Sequence, residues 1–252
     1  MKLLDLTLAS PAENLACDEA LLNWCEAGDG GEILRFWEPR EHFVVVGYAN
    51  QVKTEVDVAA CAEKNVPIFR RCSGGGTVLQ GPGCLNYALI LQIAVHSPVA
   101  SISGANQFIM ERHRAALESE LQSRQTEVAI AVLGHTDLAL VPRSPAPVTP
   151  RKFSGNSQRR HKRALLFHGT FLLNLDFPLL NTLLPMPSRQ PHYRHERSHS
   201  DFLANLQVPA ARLKSRLVQA WGATELLNDF PEPEMCRLAA EKYSSAEWNS
   251  RL

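Results

Sequence analysis

The sequence predicts an α+β domain, a mixed and largely antiparallel sheet flanked by helices. Two observations lead there. Strand-like patterns outnumber helical ones through the first two-thirds of the 252 residues. They often follow one another with no helix between, unlike the strict alternation of a doubly wound parallel sheet. The length fits one such domain spanning 1–252, with residues 207–252 as a helical extension.

The elements follow in order. Ser10 precedes Pro11 and stands three residues before Glu13, a capping box with proline at the first helical position. Cys17, Ala20, Leu21 and Trp24 then recur at helical spacing, and Gly28, Gly30 and Gly31 end the helix. Strand patterns cover Glu32–Trp37 and Phe43–Gly47, a short helix Val56–Lys64, and a strand Val66–Arg70. A glycine-rich loop, Ser73–Gly83, leads to an apolar strand, Asn86–Ala94. A helix is expected over Asn106–Ser123 and strands over Glu127–Leu133 and Asp137–Val141. Pro142, Pro145, Pro147 and Pro150 mark a loop, since proline fixes φ and lacks the amide donor. Lys152–Gln158 and Ala164–Asp176 read as two strands joined by the basic turn Arg159–Arg163. Short helices are expected at Pro178–Leu184, Ser200–Asn205, Pro209–Trp221 and Glu234–Lys242.

Composition narrows the function. Hydrophobic residues make up 45% and charged residues 21%, ordinary for a globular protein. The 26 basic and 26 acidic residues cancel, so no global field favours nucleic acid or an anionic membrane. Among six cysteines no C-x-x-C pair occurs, and reduced thiols in a cytoplasmic protein are the simplest reading. The N-terminal stretch shows neither a signal-peptide pattern nor a membrane-spanning run.

Four local patterns carry chemistry. Arg70-Arg71-Cys72-Ser73-Gly74-Gly75-Gly76-Thr77 places three glycines directly after a strand. Bare backbone amides in such a loop can cradle an anion; a lone triple glycine fits a flexible connection equally well, but with Ser73, Thr77 and the turn Gly81-Pro82-Gly83 close by a ligand loop is favoured. The spacing is neither a nucleotide P-loop nor a dinucleotide-binding fingerprint. Lys152 stands beside Ser154-Gly155. Its point charge suits a carboxylate and a phosphate, although taken alone an edge-strand lysine facing water is the more usual role. His168-Gly169 lies within an apolar run, and Asp137 lies in a turn; singly, each fits a structural role. In His192–His199, two histidines stand four apart, but arginines crowd them, and a surface or substrate-covering segment is expected rather than a metal site.

In order, the chain shows R-R-x-S-G-G-G-x-V at Arg70–Val78, G-x-x-D-L at Gly134–Leu138, K-x-S-G-x-x-Q at Lys152–Gln158 and H-G-T-x-L at His168–Leu172. This order resembles the lipoate–protein ligases and lipoyl/octanoyl transferases. Biotin–protein ligases share the fold but differ in these motifs. The resemblance implies a biotin/lipoate protein ligase-like fold, related to class II synthetases. It also implies an ATP-dependent lipoate–protein ligase, which forms lipoyl-AMP and passes the acyl group to a lysine of an apo lipoyl-carrier protein. Such carriers are the glycine-cleavage H protein and the E2 lipoyl domain of 2-oxoacid dehydrogenases. ATP with Mg2+ and lipoate are then substrates. By resemblance Lys152 is catalytic, and Arg71, Ser73, Gly74, Gly75, Gly76, Thr77 and Val78 line the acyl and adenylate site. Asp137 lies near the adenine or ribose, His168 helps close the pocket, and Ser154, Gly155 and Gly169 are further binding positions. Val78 and Leu79 are candidates for an apolar tunnel.

Two departures open an alternative. Only 46 residues follow residue 206, short for the accessory domain of many ligases, so a separate chain is one way to supply it. Cys84 stands where many ligases carry asparagine. The alternative is a cysteine-dependent octanoyl or lipoyl transferase acting through Cys84 or Cys72. Segment Glu127–Arg151, where some members carry a cysteine, has none. A lipoate-binding protein without turnover is the non-catalytic alternative.

Overall fold

A computed structural model describes residues 1–123, 127–143 and 149–251. A short strand, β1 (Lys2–Asp5), precedes helix α1 (Pro11–Ala27). The capping box forms: Ser10 Oγ accepts from the Glu13 amide at 3.2 Å, and Glu13 Oε2 accepts from the Ser10 amide at 2.8 Å. Strands β2 (Ile33–Trp37) and β3 (Phe43–Val46) are buried along their length. The single helix expected at Val56–Lys64 is two: α2 (Val52–Glu55) and α3 (Val58–Glu63). Asp57 caps the second, its Oδ1 accepting from the Ala60 amide.

After β4 (Ile68–Arg70), the expected loop at Ser73–Gly83 contains a short strand, β5 (Val78–Gln80). Then come β6 (Cys84–Gln92) and α4 (Ile102–Ser123), which starts four residues before the expected Asn106. Two antiparallel pairs follow: β7 (Val128–Leu133) with β8 (Asp137–Pro142), and β9 (Arg151–Arg160) with β10 (Ala164–Leu172). Pro145 and Pro147 lie outside the described residues. The remaining elements are α5 (Phe177–Leu183), a 3-10 turn (His192–Arg194), α6 (His199–Phe202), α7 (Ala210–Trp221), β11 (Glu225–Leu226), α8 (Glu232–Leu238), a π-helical turn (Ala239–Tyr243) and α9 (Ala246–Ser250).

Eight strands form the main sheet in the order β11-β1-β2-β6-β10-β9-β8-β7. From β2 to β7 every neighbouring pair is antiparallel, while β1 runs parallel to both β2 and β11. The expected mixed, largely antiparallel sheet is therefore present. A second sheet has the order β4-β3-β5.

Period-two alternation divides the core. Leu165 and Phe167 of β10 pack with Ile109 and Leu117 of α4 and Leu213 of α7. Ala164 and Leu166, which alternate with them in sequence, pack with Ala20 and Leu21 of α1. A third cluster joins Val44, Leu79 and Cys84 to Leu180 of α5 and Phe202 of α6. Among the described residues no helix is long and apolar enough to cross a membrane.

Arg70 ties the far end of the chain to this frame. It is fully buried, and Nη1 donates to the carbonyls of Gly47 and Asn50, both at 2.8 Å. Its Nε donates to Trp248 O at 3.1 Å and its Nη2 to Arg251 O at 2.5 Å. Residues around α9 are thereby held against the 47–50 loop.

Candidate active site

A β-bulge decides where Lys152 points. Leu138 of β8 pairs with Ser154 of β9, but Ala139 pairs with Lys152, so Phe153 is an extra residue. Phe153 enters the core under α4. The bulge resets the alternation and brings Lys152 to the face of Gly155 and Ser157. That face also carries Thr170 and His168, their partners across the strands. Lys152 Nζ lies over Gly155, where a Cβ would stand 2.7 Å from it. The ammonium pairs with Asp137 Oδ1 at 2.8 Å. Asp137 Oδ2 accepts from the Tyr193 hydroxyl, also at 2.8 Å. Burial, and then the Asp137 charge, push the Tyr193 phenol above its ordinary pKa, so it remains a donor near neutral pH.

Ser154, expected at the binding site, lies elsewhere. It is fully buried, and its hydroxyl accepts from Asn156 Nδ2 at 3.4 Å. The bulge turns it from the face that Lys152 takes.

The glycine loop is held from beneath. Arg71 Nη2 donates to the carbonyls of Gly74 at 2.5 Å and Gly76 at 2.8 Å, and its Nε donates to Ser73 Oγ at 3.1 Å. Burial lowers the Arg71 pKa to about 10, which leaves it a cation at neutral pH. Its fork shapes the loop rather than facing outward for a ligand. Ser157 Oγ donates to Gly74 O at 2.8 Å and Asn50 Nδ2 to Gly75 O at 3.1 Å. With the carbonyls occupied, the amides of Gly74, Gly75 and Gly76 have no acceptor among the described residues. All three glycines are exposed. Gly75 has φ +86°, and its carbonyl comes so close to Gly47 that a Cβ there would sit 2.1 Å from the oxygen. Thr77 borders the loop, with Oγ1 at 3.5 Å from Asn50 Nδ2. Val78 is partly exposed, whereas Leu79 belongs to the third core cluster.

Beneath the loop runs a buried polar chain. Ser73 Oγ is 2.6 Å from His168 Nε2, and His168 Nδ1 is 3.0 Å from Asp18 Oδ2. Asp18 Oδ1 pairs with the fully buried Arg35 at 2.5 Å. Burial alone would raise the Asp18 pKa, but the Arg35 charge and the His168 hydrogen bond outweigh it and lower it. An ionised Asp18 places the histidine proton on Nδ1, so Nε2 accepts the Ser73 hydroxyl proton. Gly169, beside His168, faces the Asn156 amide with no room for a Cβ.

Sequence patterns did not single out Asp18, Arg35, Ser157 or Tyr193. An arginine inside the apolar strand Ile33–Trp37 was the available signal, because a buried cation requires a partner. The two thiols considered as nucleophiles are buried, which raises both Cys72 and Cys84 to about 12. The His192–His199 stretch forms the loop that delivers Tyr193, with Arg194 stacked on Phe202. A separate groove of about 740 Å³ lies along α4 and α7 and shares no residue with this site.

Known proteins show the same architecture. Octanoyltransferase LipM of Geobacillus kaustophilus is 30% identical, over 98% of this chain and 97% of its own length. Lipoate-protein ligase A subunit 1 of Thermoplasma acidophilum is 26% identical, over 95% and 92%. The structure of a bipartite lipoate protein ligase from the same archaeon superposes with a TM-score of 0.77 at 23% identity, covering 99% of this chain and 95% of that one. Further octanoyltransferases LipM are among the relatives, whereas the motif order implied a ligase first. The lipoyl protein ligase A/B catalytic domain matches residues 10–220, and the chain belongs to that family.

Proposed function

We propose that this chain transfers a medium-chain acyl group, octanoyl or lipoyl, from an activated donor to the ε-amine of a lysine on a lipoyl-carrier protein. The observation that carries this reading is the site's arrangement of positive charge. The Lys152 ammonium and the unclaimed amides of Gly74–Gly76 border one strand face, joined through Gly155, Ser157 and the Gly74 carbonyl. Two positions along β9 separate Gly155 from Ser157, roughly 7 Å. An acyl carbonyl between them gains charge stabilisation as it becomes tetrahedral. The end-to-end similarity to octanoyltransferases favours a thioester donor such as octanoyl-acyl-carrier protein.

The second reading is an ATP-dependent lipoate ligase. It is favoured by the same free amides, which suit an α-phosphate, and by similarity to the Thermoplasma ligase subunit. There ATP with Mg2+ is a substrate, and a separate chain supplies the accessory domain. A cytoplasmic location accords with either reading and with six unpaired cysteines.

The test is the intact mass of an apo H protein after incubation with this chain. One reaction holds octanoyl-acyl-carrier protein without ATP; the other holds lipoate and Mg-ATP. An octanoyl gain only in the first establishes the transferase. A lipoyl gain only in the second establishes the ligase and shows that no accessory chain is obligatory. No gain in either, also with an E2 lipoyl domain as acceptor, removes support for acyl transfer by this chain alone.

A further inference from the structure

Resting on the acyl-transfer reading, we propose that Arg251, Arg159 and Tyr48 form a phosphate-binding site beside the glycine loop, which takes a phosphate of the acyl donor. Arg251 and its neighbour Trp248 lie outside residues 10–220, so they belong to no motif of the matched domain.

The Arg251 guanidinium carbon is 4.1 Å from the centre of the Tyr48 ring and 4.2 Å from that of Trp248. Arg159 lies over the same Tyr48 ring at 5.5 Å. Two guanidinium groups thus converge on one partly exposed ring, and Arg159 itself is exposed. Behind them stands a third cation, Arg70, whose pKa is lowered by burial and then by the Arg251 charge. Among the described residues none of the three has a carboxylate partner. Lys242, 4.2 Å over Trp248, is already neutralised by Glu19 at 2.7 Å. Like charges gathered without a counter-ion cost free energy, and an anion seated between them recovers it. The geometry suits phosphate: a guanidinium stacked on aromatic rings keeps its in-plane N–H groups for a tetrahedral anion. Arg251 Nε is buried and has no hydrogen-bond partner in the fold, a donor that calls for an acceptor.

The site is joined to the acyl site on two sides. The Tyr48 amide donates to the Ser73 carbonyl at 2.8 Å. On β9, Arg159 follows Gly155 and Ser157 at period two, paired with Leu166 as Ser157 is with His168. Four positions separate Gly155 from Arg159, roughly 14 Å. A thioester carbonyl at Lys152 and Gly155 therefore leaves its phosphate at the arginines when a long extended arm joins the two, as in a phosphopantetheine thioester. ATP offers the same chemistry from the nearer glycine loop, its β- and γ-phosphates meeting the arginines once the α-phosphate sits on the Gly74–Gly76 amides. Phosphate is common to both donors, and the separation favours the long arm.

Binding is read from Trp248, whose surroundings change when an anion reaches Arg251. The full chain is titrated with 4′-phosphopantetheine, pantetheine and inorganic pyrophosphate, followed by tryptophan fluorescence, with Trp248→Phe as the control for the signal. Phosphopantetheine should bind about tenfold tighter than pantetheine or more, the scale of one charge-assisted hydrogen bond. Arg251→Ala should abolish that difference and Arg251→Lys reduce it. Arg70 grips the Arg251 carbonyl and not its side chain, so Arg251→Ala should keep its melting temperature. In transfer to apo H protein, kcat/KM should favour octanoyl-phosphopantetheine over octanoyl-pantetheine, a preference that Arg251→Ala and Arg159→Ala lose through KM. Saturable binding of pyrophosphate alone, lost in Arg251→Ala, upholds the phosphate site and assigns it to ATP. Equal binding of phosphopantetheine and pantetheine with pyrophosphate unbound overturns the site, and transfer in the same assay then leaves the acyl-transfer reading standing. No transfer from any donor, lipoate with Mg-ATP included, overturns that reading, and the titration by itself then decides whether phosphate binds.

Discussion

Lys152 is the residue whose removal separates chemistry from folding. Its side chain is 24% exposed and pairs with Asp137 at the sheet face. Lys152→Ala should lower transfer about 10²–10³-fold, the usual scale for one charge-stabilising donor, with Tm nearly unchanged. Normal turnover in that variant would falsify the site assignment. Cys84 gives the opposite expectation. Its thiol sits in an apolar cluster and is raised to about 12, so Cys84→Ser should lose some stability and keep transfer. Loss of transfer at unchanged Tm would restore the thioester route through Cys84. At this scale the sequence was legible where its motifs name residues that the fold brings together: Lys152, Asp137, His168 and the glycines. It was not legible for Asp18 and Tyr193. Asp18 contacts His168 across 150 residues and Tyr193 contacts Asp137 across 56, and spacing along the chain does not record such meetings.

Strand β9 shows how an element can mislead a pattern reading. Strict alternation puts Lys152, Ser154 and Asn156 on one face, and the sequence of this stretch suits that register. The extra residue, Phe153, is the only apolar side chain between Lys152 and Gln158, and its burial under α4 selects the bulge. Gly155 then accommodates the lysine. Gly155→Ala would bring a Cβ to 2.7 Å from Nζ and 2.8 Å from Cε. It should cut turnover at least tenfold, on the order of 1.4 kcal/mol of transition-state stabilisation, because the ammonium must leave its place. Steady-state rates on the carrier protein, beside a melting curve close to wild type, check this. The long elements were predicted well because caps and periodicity act locally: α1 begins at its capping box. The two-residue strand β11 was missed, since it exists only by pairing with β1.

Across the whole molecule, acid should weaken the packing of α4 and α7 against the sheet. His113 of α4 is fully buried and accepts from Trp221 Nε1 at 2.9 Å. Burial, and then Arg112, lower its pKa from 6.5 to about 3. The unfolded chain therefore binds a proton between those values that the folded chain refuses. Stability is complete above about pH 6.5 and falls as pH drops towards 3, by about 1.4 kcal/mol per unit at most. Melting curves from pH 7.5 to 4.5 should show the decline. His113→Phe, though less stable at pH 7.5 for want of the Trp221 acceptor, should show a flatter one.

The Arg70 clamp has a temporal side. Arg70 and Asn249 are 179 positions apart, so everything that Arg70 grips beyond the 47–50 loop leaves the ribosome long after Arg70 itself. At about 5–20 residues per second, the nascent Arg70 and the 47–50 loop it grips wait on the order of ten seconds or more for the C-terminal half of the clamp. A chain interrupted before Trp248 would carry every motif of the site and still present a buried cation with half its carbonyl acceptors missing. Synthesis itself thus orders the assembly, and the clamp on the 47–50 loop is among the last parts of the protein to be completed.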